Sequence, residues 1–154
     1  RKADLVTRVE DACGGSVDGK TIAVLGLTFK GQTDDMRESA SLVLLPQLRE
    51  RGARVVAFDP AHPEEAKRLM PQVAMAETAQ DAAEAAHMLV VLADWHVFRD
   101  LDLAALARVM GEPRMIDFRN MFERQSVLNA GFWTYEGLGI PVGSAHSATL
   151  EAAQ

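Results

Sequence analysis

Apolar and polar positions along this chain follow two alternating rhythms. In residues 2–13, Leu5, Val6, Val9 and Ala12 recur at helical spacing, and the pair Gly14-Gly15 stops the pattern. Thr21 to Leu25 is a short apolar run closed by Gly26, the mark of a strand buried on both faces. Polar and charged residues dominate from Gly26 to Ser41 and predict a long loop. A helix is expected over 40–51, with Leu42, Leu45 and Leu48 inward and Pro46 bending it or restricting its start. Gly52 ends that helix, and Arg54–Phe58 reads as a second strand closed by Asp59-Pro60.

The rhythm then repeats. A helix at about 63–70 precedes a weak strand at 73–76, and an Ala-rich helix at about 78–86 precedes an apolar strand at 88–92. A helix at about 102–110, a strand at 114–117, a helix at about 123–130 ending at Gly131, and an extended piece over 132–136 complete the pattern. Strands alternating with helices predict right-handed crossovers and a parallel sheet covered on both faces. The expected fold is α/β: a doubly wound, mostly parallel, Rossmann-like sheet of about five to six strands. Residues 15–141 form the expected domain. Residues 1–14 are expected to be the end of a longer helix, and 142–154 a tail without periodicity.

Composition narrows the class. A length of 154 residues suits one domain, and 48% hydrophobic with 25% charged residues is ordinary for a globular protein. No apolar run approaches the roughly 20 residues that cross a bilayer, and Arg1 to Thr7 carries no signal-peptide pattern, so a cytoplasmic protein without a membrane partner is expected. A net charge of −6 argues against a nucleic-acid partner. Cys13 is the sole cysteine, and His62, His87, His96 and His146 show no metal-ligand spacing, so no metal is expected. At the end of a helix, where the dipole disfavours a thiolate, Cys13 reads as structural.

In open parallel sheets ligands bind beyond the carboxyl ends of the strands, where the strand order reverses. Three segments fall at such ends. The first, GLTFKGQTDDMRES from Gly26, is not the dinucleotide fingerprint Gly-x-Gly-x-x-Gly, because Thr28 stands at its second glycine. Nor is it a P-loop, since Gln32 occupies the lysine position after Gly26 and Gly31. It offers two cations, Lys30 and Arg37, with Thr28, Thr33 and Ser39 as neutral donors and Asp34, Asp35 and Glu38 to hold the cations in place. That set suits a phosphate-bearing ligand. A solvated loop with local ion pairs is the competing reading; the loop's length and position favour binding.

The second segment, ADWHVF, places Trp95 and Phe98 at helical spacing and reads as a packing hinge, with His96 a surface or structural residue. The third, DFRN, puts Asp117, Arg119 and Asn120 at the end of the fifth strand. Arg119 can swing over the same crevice as Lys30, while Phe118 has no expected ligand role; the alternative is a turn that Asp117 or Asn120 merely caps. Asp59 ends the second strand, where many dinucleotide folds hold a ribose. Without the glycine fingerprint, Asp59-Pro60 more simply makes a turn.

GLTFKGQTDDMRESAS, GARVVAFDP, ADWHVFRDLD and MIDFRNMFERQSVLNAGFWTYEGLG, in this order, resemble the UDP-glucose/GDP-mannose dehydrogenase family from about Gly19 to Pro141. The resemblance implies the C-terminal nucleotide-sugar-binding lobe of an NAD-dependent enzyme that oxidises UDP-glucose to UDP-glucuronate with two NAD per turnover, in the service of polysaccharide biosynthesis. It further implies that residues 1–14 end a central helix that links two lobes and forms a homodimer or higher homo-oligomer. The NAD-binding lobe and the nucleophilic cysteine of such enzymes have no counterpart here, and Cys13 does not match their cysteine motif, so the fragment alone is expected to be inactive. By resemblance, Phe29, Lys30 and Arg119 bind the UDP-sugar and Arg37 reaches the cofactor. Gly139-Ile140-Pro141 departs from the family, which usually has Arg or Lys there. A lobe specific for GDP-mannose or UDP-N-acetylmannosamine and a stand-alone nucleotide-sensing module are the alternatives. A receiver-type signalling domain is disfavoured, since Gly26–Gly31 replaces the acidic cluster it needs.

Overall fold

The computed structural model describes residues 2–138 and 140–144. Its elements follow in the order α1 (Lys2–Ala12), β1 (Thr21–Leu25), α2 (Ser41–Glu50), β2 (Arg54–Phe58), α3 (Glu64–Leu69), β3 (Ala74–Met75) and α4 (Ala79–Ala83). After these come β4 (Met88–Val91), a 3₁₀ turn (His96–Asp100), α5 (Leu103–Val109), β5 (Arg114–Asp117), α6 (Arg124–Asn129), β6 (Thr134–Gly137) and β7 (Ile140–Ser144). The strands form one sheet in the order β3-β2-β1-β4-β5-β6-β7. Every pairing up to β5–β6 is parallel and β6–β7 is antiparallel.

The alternation of side chains along each strand divides the core in two. Ile22, Val24, Val55, Met88, Val90 and Ile116 point to the face covered by α1, α2 and α3, where they meet Val6, Val9, Leu44, Leu45, Leu48 and Ala66. Ala23, Leu25, Leu89, Val91, Met115 and Tyr135 point to the other face, against α4, α5 and α6. Both faces of β1 and β4 are therefore buried, as their continuous apolar runs require. Side-chain caps start two of the helices: Asp81 N–H donates to Thr78 Oγ1 at 3.0 Å, and Ala105 N–H to Asp102 Oδ1 at 3.0 Å.

The sheet is the expected doubly wound one, with three differences of detail. It has seven strands, because the chain turns back after Gly137 and pairs Tyr135 with Gly143 and Thr134 with Ser144. Strand β7 thus takes in residues 142–144, which the aperiodic sequence had assigned to the tail; positions 145–154 lie outside the described residues. In α2, Leu44 is fully buried and Leu42 only partly so, and the helix continues past Pro46. Strand β1 is flanked by β2 and β4, so the strand order reverses between β1 and β4. That puts the segments after β1, β4 and β5 side by side at one edge.

Candidate functional site

The loop after β1 is folded tightly onto the loop after β4. Gly26 has φ +96°, and a Cβ there would lie 2.5 Å from Ala93 Cβ; at Gly31 it would lie 2.4 Å from Asp94 O. Only hydrogen fits at either place. Between these glycines the buried Asp59 carboxylate at the end of β2 gathers the backbone. Its Oδ2 accepts from Leu27 N at 2.7 Å, Thr28 N at 3.3 Å and the Trp95 indole at 3.2 Å, and its Oδ1 from Ala61 N at 2.8 Å. Asp59 is a tertiary anchor, a larger role than the simple turn expected of it.

Two of the neutral donors expected to meet a ligand are used inside the protein instead. Ser39 is buried and its hydroxyl lies 2.6 Å from Leu27 O, as does that of Ser41; Thr28 is buried and donates to Lys30 O at 2.7 Å. Thr33 Oγ1 accepts from Asp35 N at 3.1 Å. Enclosure by the loop's own backbone explains the difference: buried carbonyls need donors, and these hydroxyls supply them. The long side chains point outward: Phe29 is 47% exposed, and Lys30 is exposed with no ion-pair partner among the described residues. Arg37 lies against Asp35, Nε to Oδ1 3.1 Å, with its side chain 88% exposed. That guanidinium holds the Asp35 carboxyl below the usual carboxylate range. Phe29, Asp35, Arg37 and Glu38 line one shallow recess. Gln32 and Glu38 both have positive φ, 65° and 62°, so the loop keeps a backbone that non-glycine residues rarely adopt.

Asp94, which the sequence reading passed over, joins this loop to the turn after β5. One carboxylate oxygen accepts from Gly31 N at 2.7 Å and the other lies 3.4 Å from an Arg119 Nη. The bond from Gly31, with the Arg119 cation behind it, lowers the Asp94 pKa. Lys30 and Arg119 therefore belong to one edge, linked through Gly31 and Asp94. The signal for Asp94 lay in its position, an acid directly after the apolar run of β4.

The turn that carries Arg119 is built on buried Asp117. Its carboxylate accepts from Arg119 N at 3.0 Å, Met121 N at 2.8 Å, Phe122 N at 3.1 Å and the Tyr135 hydroxyl at 3.0 Å. Burial raises the Asp117 pKa against those hydrogen bonds, and burial together with the Asp117 charge raises that of Tyr135. Asn120, at φ 50°, exchanges two bonds with the backbone of Leu138, at 2.9 Å and 2.8 Å. Asp117 and Asn120 thus make the turn, and Arg119 projects from it, partly exposed. Phe118 is buried in the core, and His96 is exposed.

The edge carries cations and an apolar ring, which suits binding an anion with an attached planar or sugar group. It carries no cysteine. Cys13 is buried at the opposite edge, where Lys20, just before β1, donates to its carbonyl at 2.7 Å, and burial pushes its thiol up. Among the described residues no group of His, Cys, Asp and Glu could hold a metal ion, and no helix is long and apolar enough to cross a membrane.

Residues 23–124 match the UDP-glucose/GDP-mannose dehydrogenase family, UDP binding domain. The chain belongs to this family. It is 39% identical over 141 residues to UDP-glucose 6-dehydrogenase of Rhizobium meliloti, covering 92% of this chain and 32% of that one. It is 39% identical over 136 residues to UDP-glucose 6-dehydrogenase YwqF of Bacillus subtilis, covering 88% and 31%. Among solved structures, a UDP-glucose dehydrogenase from Pyrobaculum islandicum superposes with TM-score 0.70 at 28% identity, over 88% of this chain and 29% of that chain. The chain spans about a third of the length of the curated relatives it matches. The family match covers the loop after β1, Asp94 and Arg119; β6 and β7 lie beyond its last residue.

Proposed function

We propose that this domain grips the diphosphate of UDP-glucose as the C-terminal lobe of an NAD-dependent UDP-glucose 6-dehydrogenase. Lys30 supplies a point charge, Arg119 a planar fork to the phosphate oxygens, and Phe29 an apolar plate beside them. Arg37, at the rim, reaches the NAD held by the other lobe. The observation that carries this reading is the Gly31–Asp94–Arg119 link, which brings cations from two strand ends to one edge. The substrate assignment is supported by UDP-glucose 6-dehydrogenases at 39% identity. NAD, the nucleophile and the four-electron oxidation of the sugar alcohol belong to the remainder of the enzyme, so this domain by itself does not turn over.

Calorimetric titration with UDP, UDP-glucose and GDP tests the reading. UDP and UDP-glucose should bind and GDP should bind more weakly; a preference for GDP would move the domain to the GDP-mannose branch. In the full-length protein, Lys30→Ala or Arg119→Ala should each weaken UDP binding by about 1.5–3 kcal/mol, roughly 10- to 150-fold. If neither substitution alters the affinity, the proposed site is wrong.

A further inference from the structure

The half-buried Arg8 of α1 lies far from Arg119 in sequence yet touches both sides of the turn that carries it. Its Nε and Nη2 donate to Glu136 Oε2 at 2.9 Å and 2.6 Å, and Nη2 also donates to Gly137 O at 3.1 Å. The guanidinium carbon sits 5.6 Å from the centre of the Phe118 ring. Phe118 is the residue before Arg119, and Gly137 the residue before Leu138. Leu138 in turn is locked to Asn120, the residue after Arg119, by the paired bonds at 2.9 Å and 2.8 Å, while its N–H donates to Asp117 O at 3.3 Å. Arg8 therefore clamps the turns after β5 and β6 from the helix side, one through the ring and the other through the carbonyl.

The partners have the character of a built contact. Side-chain exposure is 29% for Arg8 and 13% for Glu136, so the pair is largely withdrawn from water, where breaking it leaves a charge without compensation. Glu136 is directed towards α1 because its neighbour Tyr135 is packed in the opposite layer of the core. Lysine in place of Arg8 would keep the charge but lose the planar fork that serves Glu136, Gly137 and the ring together.

We propose that Arg8 is a positioning residue that couples α1 to the Arg119 turn, so that affinity for the nucleoside diphosphate depends on how α1 is seated. This rests on the site proposed above, with Arg119 as a phosphate ligand. Coupling of this kind modulates affinity without touching the ligand.

The test is calorimetric binding of UDP to the full-length protein and its Arg8→Gln, Arg8→Lys, Arg119→Ala and Arg8→Gln/Arg119→Ala variants, with thermal unfolding in parallel. Arg8→Gln should weaken UDP by roughly three- to tenfold and Arg8→Lys by less, in the range of coupling through packed networks. In the Arg119→Ala background, Arg8→Gln should add no further weakening. A purely structural Arg8 would lower the unfolding temperature and leave the affinity unchanged, or weaken UDP equally in both backgrounds; either result overturns the proposal. If Arg119→Ala itself leaves UDP binding unchanged, the site reading fails and the coupling falls with it, a result distinct from an effect of Arg119→Ala alone. Should Arg8→Gln not fold, Glu136→Gln replaces it in the same comparison with the same expected pattern.

Discussion

Two carboxylates, Asp59 and Asp94, hold the loops of the candidate site in place. Asp59→Ala would leave the N–H groups of Leu27, Thr28 and Ala61 and the Trp95 indole without their acceptor. The expected loss is about 3–4 kcal/mol of stability, read by urea unfolding. At this chain length that corresponds to a fall of roughly 10 °C in Tm. A loss near zero would show that water replaces the carboxylate freely. Asp94 leads to a pH prediction. Its folded pKa lies below the unfolded value, so its stabilisation is complete above the unfolded pKa and disappears as pH falls through the folded one. The stability gap between the natural protein and Asp94→Asn should be constant above about pH 5 and close as pH drops below about 4. A gap that persists unchanged at pH 3 would contradict the assigned contacts. The cations Lys30 and Arg119 were legible in the sequence because a strand end followed by Lys or Arg is visible locally. Asp59 and Asp94 were not, because the amides they accept from lie 32 and 63 positions away and meet them only in the folded sheet.

Among the elements, the strands of the parallel sheet were readable because burial on both faces forces continuous apolar runs such as Thr21–Leu25 and Met88–Val91. Strand β7 carries no such pattern: it pairs antiparallel at the sheet's end through its backbone, and its residues Ile140–Ser144 include Pro141 and Gly143. The length and strand-end position of the loop after β1 were legible, but the inward use of Thr28 and Ser39 was not, because hydroxyls suit a buried carbonyl as well as a phosphate. Contact between this loop and the one after β4 makes two glycines critical in different ways. Gly26→Ala combines positive φ with a close approach to Ala93 and should cost about 2–4 kcal/mol of stability. Gly31→Ala has no positive-φ penalty, but its methyl group would drive the loop off Asp94. It should cost less stability than Gly26→Ala and weaken UDP binding more for each unit of stability lost. Thermal unfolding and UDP calorimetry on the two variants distinguish the effects. Equal ratios of affinity loss to stability loss would mean that the Gly31–Asp94 contact has no special part in binding.

On the scale of the whole molecule, the charge distribution and the exposed rim lead to one expectation about completeness. The chain has a net charge of −6, so the proposed diphosphate site depends on a local group of cations, Lys30, Arg37 and Arg119, at one edge. Phe29 and Arg37 stand largely in water at that edge, and the recess they line is shallow. A ligand lying there touches protein on one side and water on the other, where charged contacts are screened and each is worth less than in an enclosed cleft. The curated relatives are about three times as long as this chain, and in the proposed two-lobed enzyme that further length would close the open side. The 154-residue chain should therefore bind UDP at least about tenfold more weakly than the full-length protein, a difference of about 1.4 kcal/mol. Its affinity should also fall more steeply as ionic strength rises, because its phosphate contacts remain hydrated. Calorimetry on both proteins at low and moderate salt measures the two differences. Equal affinities with equal salt slopes would mean that this single edge already contains the complete UDP site, and that the exposed Phe29 and Arg37 face something other than the rest of a cleft.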